Sequence, residues 1–322
     1  MRPLGVGVLG CAEIAVRRVL PALAAGPATE LVAVASRDAD KAARTAAPYG
    51  CAAVTGYQSL LERADVEAVY VPLPAALHAD WVERALLCGR HVLAEKPLTT
   101  TAARTAEITA LAAARGLVVM ENIMFLQHPV HRRVLELLAG GRIGELRCFE
   151  AAFAVPARPV DDIRYRADLG GGALLDMGVY PLRAAQLFLG ADTAVLGADL
   201  RLDPRRGVEV AGSALLRARG GVSAQLAFGM EHSYRSCYAL WGSAGRIQVD
   251  RAFTPPAGHR PVVRVERPDG IEELTLEPYD QCAATVRRFA EAARGRRPAG
   301  AAAADALSLA KLVDSVRRVA QG

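Results

Sequence analysis

Apolar residues in the first third of the chain gather in short runs separated by longer segments with helical spacing. Val6–Leu9 is one such run, and others follow at Leu31–Ala35, Ala68–Val71, His91–Ala94 and Leu117–Met120. Runs this short are too brief for helices and read as strands buried on both faces. Their alternation with helical segments predicts a doubly wound parallel sheet. Past Asn122 the rhythm changes. Helical spacing around Pro129–Leu138 stops at Gly140-Gly141, and a strand-like run covers Arg147–Val155. Later runs such as Ser223–Phe228 alternate apolar with polar residues, and Arg219-Gly220-Gly221, Gly242-Ser243-Ala244-Gly245 and Asp269-Gly270 punctuate them as hairpin turns. Such a sheet packs one face on helices and offers the other to solvent or to a second subunit. The pattern thus predicts an α/β chain: a parallel-sheet domain over residues 1–122, then an α+β domain over 123–300 with a large, open-faced, mostly antiparallel sheet. A strongly helical tail, about 301–322, is expected to pack back on the first domain.

Composition narrows the function classes. A chain of 322 residues suits two domains, and 52% hydrophobic with 23% charged residues describes a globular protein. Met1-Arg2-Pro3 leads into a stretch too short and glycine-rich for a signal peptide, and no uninterrupted apolar run reaches about 18 residues, so the chain reads as cytoplasmic and free of membrane partners. The six cysteines form no C-x-x-C pair and read as thiols of a reducing compartment. The net charge of +5 comes from scattered arginines with no aromatic-interleaved basic stripe, which argues against nucleic acid and leaves room for an anionic small molecule. His128 and His131 lack a supporting carboxylate cluster and the other histidines lack ligand spacing, so no metal is expected.

The first run opens into Gly10-Cys11-Ala12-Glu13-Ile14-Ala15, which puts Gly10, Ala12 and Ala15 at the positions of a dinucleotide-binding fingerprint. Gly10 permits the tight turn, a small residue at 12 admits a pyrophosphate, and Ala15 lets helix pack on strand. Ala12 departs from the usual glycine. This fingerprint in a strand–helix alternation predicts a Rossmann domain. The second run ends at Ser36-Arg37-Asp38, where a hydroxyl and a guanidinium precede the carboxylate, a combination suited to the 2′-phosphate of NADP over the 2′-hydroxyl of NAD. A stiff loop, Pro72-Leu73-Pro74 leading to His78, follows the Ala68–Val71 run at the crevice where such sheets bind ligands.

Three of the 39 Lys+Arg positions are lysine, and one of them, Lys96, sits in Glu95-Lys96-Pro97 where the His91–Ala94 run stops. A guanidinium stays protonated in proteins, whereas an ammonium can pass on a proton. Pro97 restricts Lys96 to extended backbone at the mouth of the crevice. In the second domain, Gly170-Gly171-Gly172 opens a helix carrying Asp176 and Tyr180 at i and i+4, on one face. The two form either an acid–base or substrate-orienting pair, or a surface carboxylate beside a half-buried phenol.

In order and spacing, the fingerprint at Gly7–Ala15, Glu95-Lys96-Pro97, and the glycine-rich helix with Asp176 and Tyr180 resemble the GFO/IDH/MocA oxidoreductase family. Many members carry histidine where this chain has Tyr180. That variant, with Val71-Pro72-Leu73-Pro74, Glu121-Asn122-Ile123-Met124-Phe125 and Ile163-Arg164-Tyr165-Arg166, is similar to a branch of nucleotide-sugar 3-ketoreductases of deoxysugar biosynthesis. The resemblance implies an NADP(H)-dependent enzyme that reduces the C3 ketone of a dTDP-linked 3,4-diketo-2,6-dideoxyhexose, and a homodimer or homotetramer built through the open sheet. It implies a cofactor site of Gly10, Cys11, Ala12, Glu13, Ile14, Ser36, Arg37, Leu73, Pro74, His78, Glu95, Lys96, Asn122 and Arg164. Lys96 or Tyr180 would deliver the proton and Asp176 would position the sugar or the lysine, with Arg17 and Arg235 as further candidates for the substrate. Two alternatives are a dehydrogenase of a free polyol or aldose, which Tyr180 weighs against, and a non-catalytic dinucleotide-sensing regulator, which has no use for Lys96 with Tyr180.

Overall fold

The computed structural model describes residues 2–296 and 300–322; Met1 and the stretch 297–299, which fall inside the expected domain bounds, lie outside the described residues. The chain divides into two compact units, one formed by Met1–Ile123 with Cys282–Leu307 and the other by Met124–Gln281 with Ser308–Gly322.

The first unit is built on strands β1 (Leu4–Leu9), β2 (Thr29–Ser36), β3 (Ala52–Thr55), β4 (Ala68–Val71), β5 (His91–Ala94) and β6 (Val119–Glu121). Its helices include α1 (Leu20–Ala25), α2 (Ala39–Ala46), α3 (Tyr57–Leu61), α4 (Ala75–Leu87) and α5 (Ala102–Ala114). The strands run parallel in the order β3-β2-β1-β4-β5-β6. The order reverses between β1 and β4, and ligands of such sheets bind outside the carboxyl ends of the strands at that switch point. β1 and β4 are buried along their whole length, as strands covered by helices on both faces must be. Val69, Val71, Val92 and Ala94 meet Val82, Ala85 and Leu86 of α4 and Ile108 and Ala112 of α5 in one core. β3, not among the strands expected from the sequence, is an edge strand whose residues are half-buried or exposed.

In the second unit β7 (Leu146–Ala154), β8 (Thr193–Asp203), β9 (Val208–Ala218), β10 (Ser223–Gly229), β11 (Arg235–Gly242), β12 (Arg246–Asp250), β13 (Val262–Arg267) and β14 (Gly270–Thr275) form a sheet in the order β14-β13-β12-β11-β7-β10-β9-β8. Its pairings are antiparallel except β7 with β10. The three glycine turns expected from the sequence close the hairpins β9–β10, β11–β12 and β13–β14. Besides α6 (Pro129–Ala139), the unit contains α7 (Val179–Leu189), which packs on β7 and β10. Register assigns the two faces. Phe149, Phe153, Leu226 and Phe228 are buried on the side of α7, while Glu150, Gln225, Arg235 and Gln248 line the opposite face. Helix α8 (Gln281–Ala293) belongs mostly to the first unit, and α9 (Gly300–Ala320) contributes its beginning to the first and its remainder to the second. No described helix is long and apolar enough to cross a membrane.

Candidate active site

At the switch point Gly10 takes φ +120°, and a Cβ there would stand 3.0 Å from Leu73 Cδ2 in the loop after β4. Any side chain would be both strained and crowded, so the glycine lets the two loops close on each other. Cys11, Ala12 and Ile14 are half-buried, Glu13 is exposed, and Ala15 is fully buried where the helix rests on the sheet. The helix then passes through a single π turn, Ala15–Val19, before α1. Arg17, in that turn, is exposed and pairs with Glu13 at 3.4 Å.

At the end of β2, Ser36 Oγ accepts from the Asp38 N–H at 3.1 Å, and the Asp38 carboxylate accepts from the Lys41 N–H at 2.9 Å as the N-cap of α2. A carboxylate held in a helix cap is not presented as the hydroxyl acceptor an NAD ribose uses. Arg37 is exposed and reaches the Tyr57 phenol. A serine hydroxyl and a guanidinium, with the nearby carboxylate committed elsewhere, fit a 2′-phosphate.

Lys96 is half-buried directly after β5, and its peptide bond to Pro97 is cis. The backbone around it is fixed from several sides. The Glu95 carboxylate accepts from Tyr70 Oη at 2.7 Å and from Asn122 Nδ2 at 2.6 Å, and more distantly from the Lys96 N–H at 3.4 Å. Burial, then the carboxylate itself, pushes the Tyr70 pKa well above the ordinary phenol value, so Tyr70 stays a donor. Glu95 and Asn122 are both nearly inaccessible, and a carboxylate so enclosed is tolerable only with such partners. The Leu98 N–H donates to Glu121 Oε1 at 2.8 Å. Both ring nitrogens of His78, on the first turn of α4, lie 2.7 Å from carbonyl oxygens, one of Pro97 and one of Leu73. Sequence reasoning named Glu95, Asn122, Leu73, Pro74 and His78. It missed the parts played by Tyr70, hidden in an apolar strand, and by Glu121, quoted only as Asn122's neighbour.

In the second unit the glycine loop leads into a π turn, Leu174–Gly178, and then α7, so Asp176 and Tyr180 straddle the junction. Gly172, at φ +116°, leaves room for the Glu209 carboxylate, whose nearest oxygen would lie 2.7 Å from an added Cβ; that carboxylate accepts from the Leu174 N–H at 3.3 Å. Asp176 accepts from Arg164 Nε at 2.5 Å, and the same guanidinium holds Asp162 at 3.1 Å. Burial opposes the Arg164 charge, but the carboxylates of Asp176 and Asp162 outweigh it and raise its pKa. The sequence grouped Arg164 with the cofactor residues; the structure binds it to two carboxylates of its own unit, where it orients Asp176. Tyr180, 7% exposed, is more enclosed than a half-buried phenol, with its ring 4.8 Å from Phe153 and 5.8 Å from Phe253. Arg235 stands on the sheet face opposite α7, where its Nε donates to Cys237 Sγ at 3.1 Å, so it shares no face with Asp176 and Tyr180. Lys96 belongs to the first unit, the carboxylate–phenol pair to the second. Among the described residues no group of three His, Cys, Asp or Glu side chains could hold a metal ion.

Two family models match in tandem: an oxidoreductase family with NAD-binding Rossmann fold over residues 4–123, and a GFO/IDH/MocA C-terminal domain over residues 131–248. The chain is 56% identical to a dTDP-3,4-didehydro-2,6-dideoxy-alpha-D-glucose 3-reductase of Streptomyces violaceoruber, covering 99% of this chain and 96% of that one. A D-xylose 1-dehydrogenase (NADP(+)) of Haloferax volcanii is 32% identical over 98% of this chain and 97% of its own. Among solved structures, KijD10, a 3-ketoreductase from Actinomadura kijaniata in complex with NADP and TDP-benzene, superposes with a TM-score of 0.97 at 55% identity, covering 99% of this chain and 98% of that one. KijD10 has also been solved with one tyrosine changed to phenylalanine and with one lysine changed to alanine, and those two positions are separated by the same interval of sequence as Lys96 and Tyr180 here. With both halves matched in order and such similarity sustained along its length, the chain belongs to the GFO/IDH/MocA oxidoreductase family.

Proposed function

We propose that the protein is an NADPH-dependent 3-ketoreductase that converts the C3 ketone of a dTDP-3,4-diketo-2,6-dideoxyhexose to an alcohol. The observation that carries this is Lys96, an ammonium mounted on a braced loop at the carboxyl end of β5, beside the switch point. The margin between 56% identity to the dTDP-sugar reductase and 32% to the xylose dehydrogenase favours the nucleotide sugar over a free aldose. Bound NADPH supplies the hydride. As C3 is reduced its oxygen becomes an alkoxide, and Lys96 Nζ–H donates the proton that completes the hydroxyl. The Tyr180 hydroxyl is the second candidate donor of that proton. Asp176, fixed by Arg164, accepts from sugar hydroxyls. Loss of NADPH absorbance with the diketo sugar, and none with xylose or inositol, is the expected result; turnover of the free sugars alone would refute the assignment.

Gly10 to Ile14 cradle the pyrophosphate, and Ser36 with Arg37 bind the 2′-phosphate. Arg37→Ala is expected to raise the KM for NADPH about tenfold, the worth of one charge-assisted contact, while leaving the KM for NADH unchanged. Equal effects on both coenzymes would remove Arg37 from that role.

The open face of the eight-stranded sheet is proposed as the seat of a second copy of this chain. It exposes Trp241 and Leu215 around a cavity of about 670 Å³ lined by Glu150, Gln225, Arg235 and Gln248. A two-fold axis would set this same patch of each copy against that of the other. Trp241→Glu should shift the sedimenting species to a smaller one; an unchanged oligomer would place the interface elsewhere. Assembly of this kind, six thiols and the absence of a spanning helix among the described residues suit a cytoplasmic enzyme.

A further inference from the structure

His78 is 1% exposed and makes two close contacts that its neutral form cannot satisfy together. Nδ1 lies 2.7 Å from the Pro97 carbonyl oxygen and Nε2 lies 2.7 Å from the Leu73 carbonyl oxygen. A carbonyl oxygen only accepts, and a neutral imidazole carries hydrogen on one nitrogen and a lone pair on the other. Either neutral tautomer therefore points a lone pair at an oxygen at hydrogen-bond distance. The imidazolium donates from both nitrogens, and 2.7 Å is the short separation of a charge-assisted N–H···O bond.

We propose that His78 is held as the imidazolium and serves as a positioning residue, fastening the loop after β4 to the backbone immediately beyond Lys96. The opposing influences are visible around the ring. Burial, the largest influence, lowers its pKa from the ordinary value, and the Lys96 ammonium adds to that; the two carbonyls and the Glu95 carboxylate oppose both. The first turn of α4 carries no acidic residue, and the loop after β4 presents the Leu73 carbonyl, so Glu95 and Lys96 on the β5 loop are the charges that bear on it. The paired carbonyls decide the protonation state against burial, because burial has a remedy in two strong bonds whereas a lone pair facing an oxygen has none. The consequence is a Lys96 whose backbone is pinned one residue away.

The protonation state is read without any substrate, so this half stands or falls apart from the reductase assignment; the positioning half rests on that assignment. Neutron diffraction from crystals of the full chain, at a pH above the ordinary imidazole value of about 6.5, should show deuterium on both ring nitrogens of His78. Deuterium on one nitrogen alone overturns the proposal. For the positioning role, His78→Gln keeps a donor that cannot serve both carbonyls at once. It is expected to lower kcat about tenfold or more with NADPH binding changed less than about threefold, as a displaced catalytic group does. An unchanged kcat, or NADPH binding weakened as much as kcat, would overturn the link to Lys96.

Discussion

Lys96→Ala is expected to lower kcat for NADPH-dependent reduction of the diketo sugar by about 100-fold or more, the contribution a positioned general acid makes. The reasoning is chemical. Hydride delivery without a proton leaves an alkoxide, a base far stronger than anything in the vicinity, so the barrier rises unless a donor is already in place. Lys96→Arg separates charge from proton donation, because a guanidinium keeps the positive charge but does not release its proton. If Lys96 acts as the acid, arginine should be nearly as poor as alanine; if it only polarises the carbonyl, arginine should recover most of the rate. Tyr180→Phe should cost about tenfold or less, since its ring is held among Phe153, Phe253 and Phe125 and only the hydroxyl is removed. Steady-state kinetics at saturating NADPH, with thermal melts as a fold check, decide the matter. A Lys96→Ala enzyme retaining a third of its rate would mean the proton comes from elsewhere.

The supports of Lys96 suggest why the loss should appear in kcat more than in NADPH binding. Glu95 is anchored by Tyr70 and Asn122, Leu98 by Glu121, and Pro97 by His78, so removing the lysine side chain leaves its loop fully tied. Asp176 differs. Its carboxylate neutralises a guanidinium that also holds Asp162 and the turn at Ile163–Tyr165, so its removal disturbs structure as well as recognition.

Much of this was legible in the chain because the signals are local. β4 and β5 coincide with their apolar runs, since a strand buried on both faces has no reason to interrupt its hydrophobicity. The glycine turns located the hairpins because Gly221 and Gly270 take left-handed backbone and Gly242 and Gly245 leave room for the carbonyls of Ile143 and Glu266. The half-buried edge strand β3 overlaps a run, Cys51–Val54, of small residues only, and is not among the expected strands. Pairings distant in sequence were not legible. Nothing in Ile163-Arg164-Tyr165 says that its arginine meets Asp176, and nothing in the start of β11 says that Arg235 lies on the far side of the sheet from Tyr180. The parallel pairing of β7 with β10 is likewise a tertiary outcome, produced by α7 and two strands intervening between the partners.

Acid should destabilise the second unit well before ordinary carboxylates titrate. His131 is enclosed, with Nδ1 3.0 Å from Tyr238 Oη and its ring against Phe125, and burial lowers its pKa to about 3. Burial, then His259, lowers that of His128 to about 4. Both values lie below the 6.5 of an unburied imidazole. As pH falls through about 6.5 the unfolded chain takes up these protons while the folded chain does not, so stability is whole above that pH and declines towards the folded values. At about 1.4 kcal/mol per pH unit, His131 alone removes roughly 3 kcal/mol by about pH 4.5, with His128 adding a smaller share, against a total of about 5–15 kcal/mol for a folded domain. The carboxylates contribute in a different window. Glu67, whose pKa is lowered chiefly by its bond from Arg294, stabilises above its unfolded value of 4.5 and loses that contribution only below it. Denaturant melts at neutral pH and at about pH 4.5 therefore isolate the histidines. His131→Phe, which cannot titrate, should be less stable at neutral pH by about 1 kcal/mol for the lost bond to Tyr238, yet fall less steeply with acid. If the variant and the unaltered chain show the same acid slope over that window, His131 is not its source.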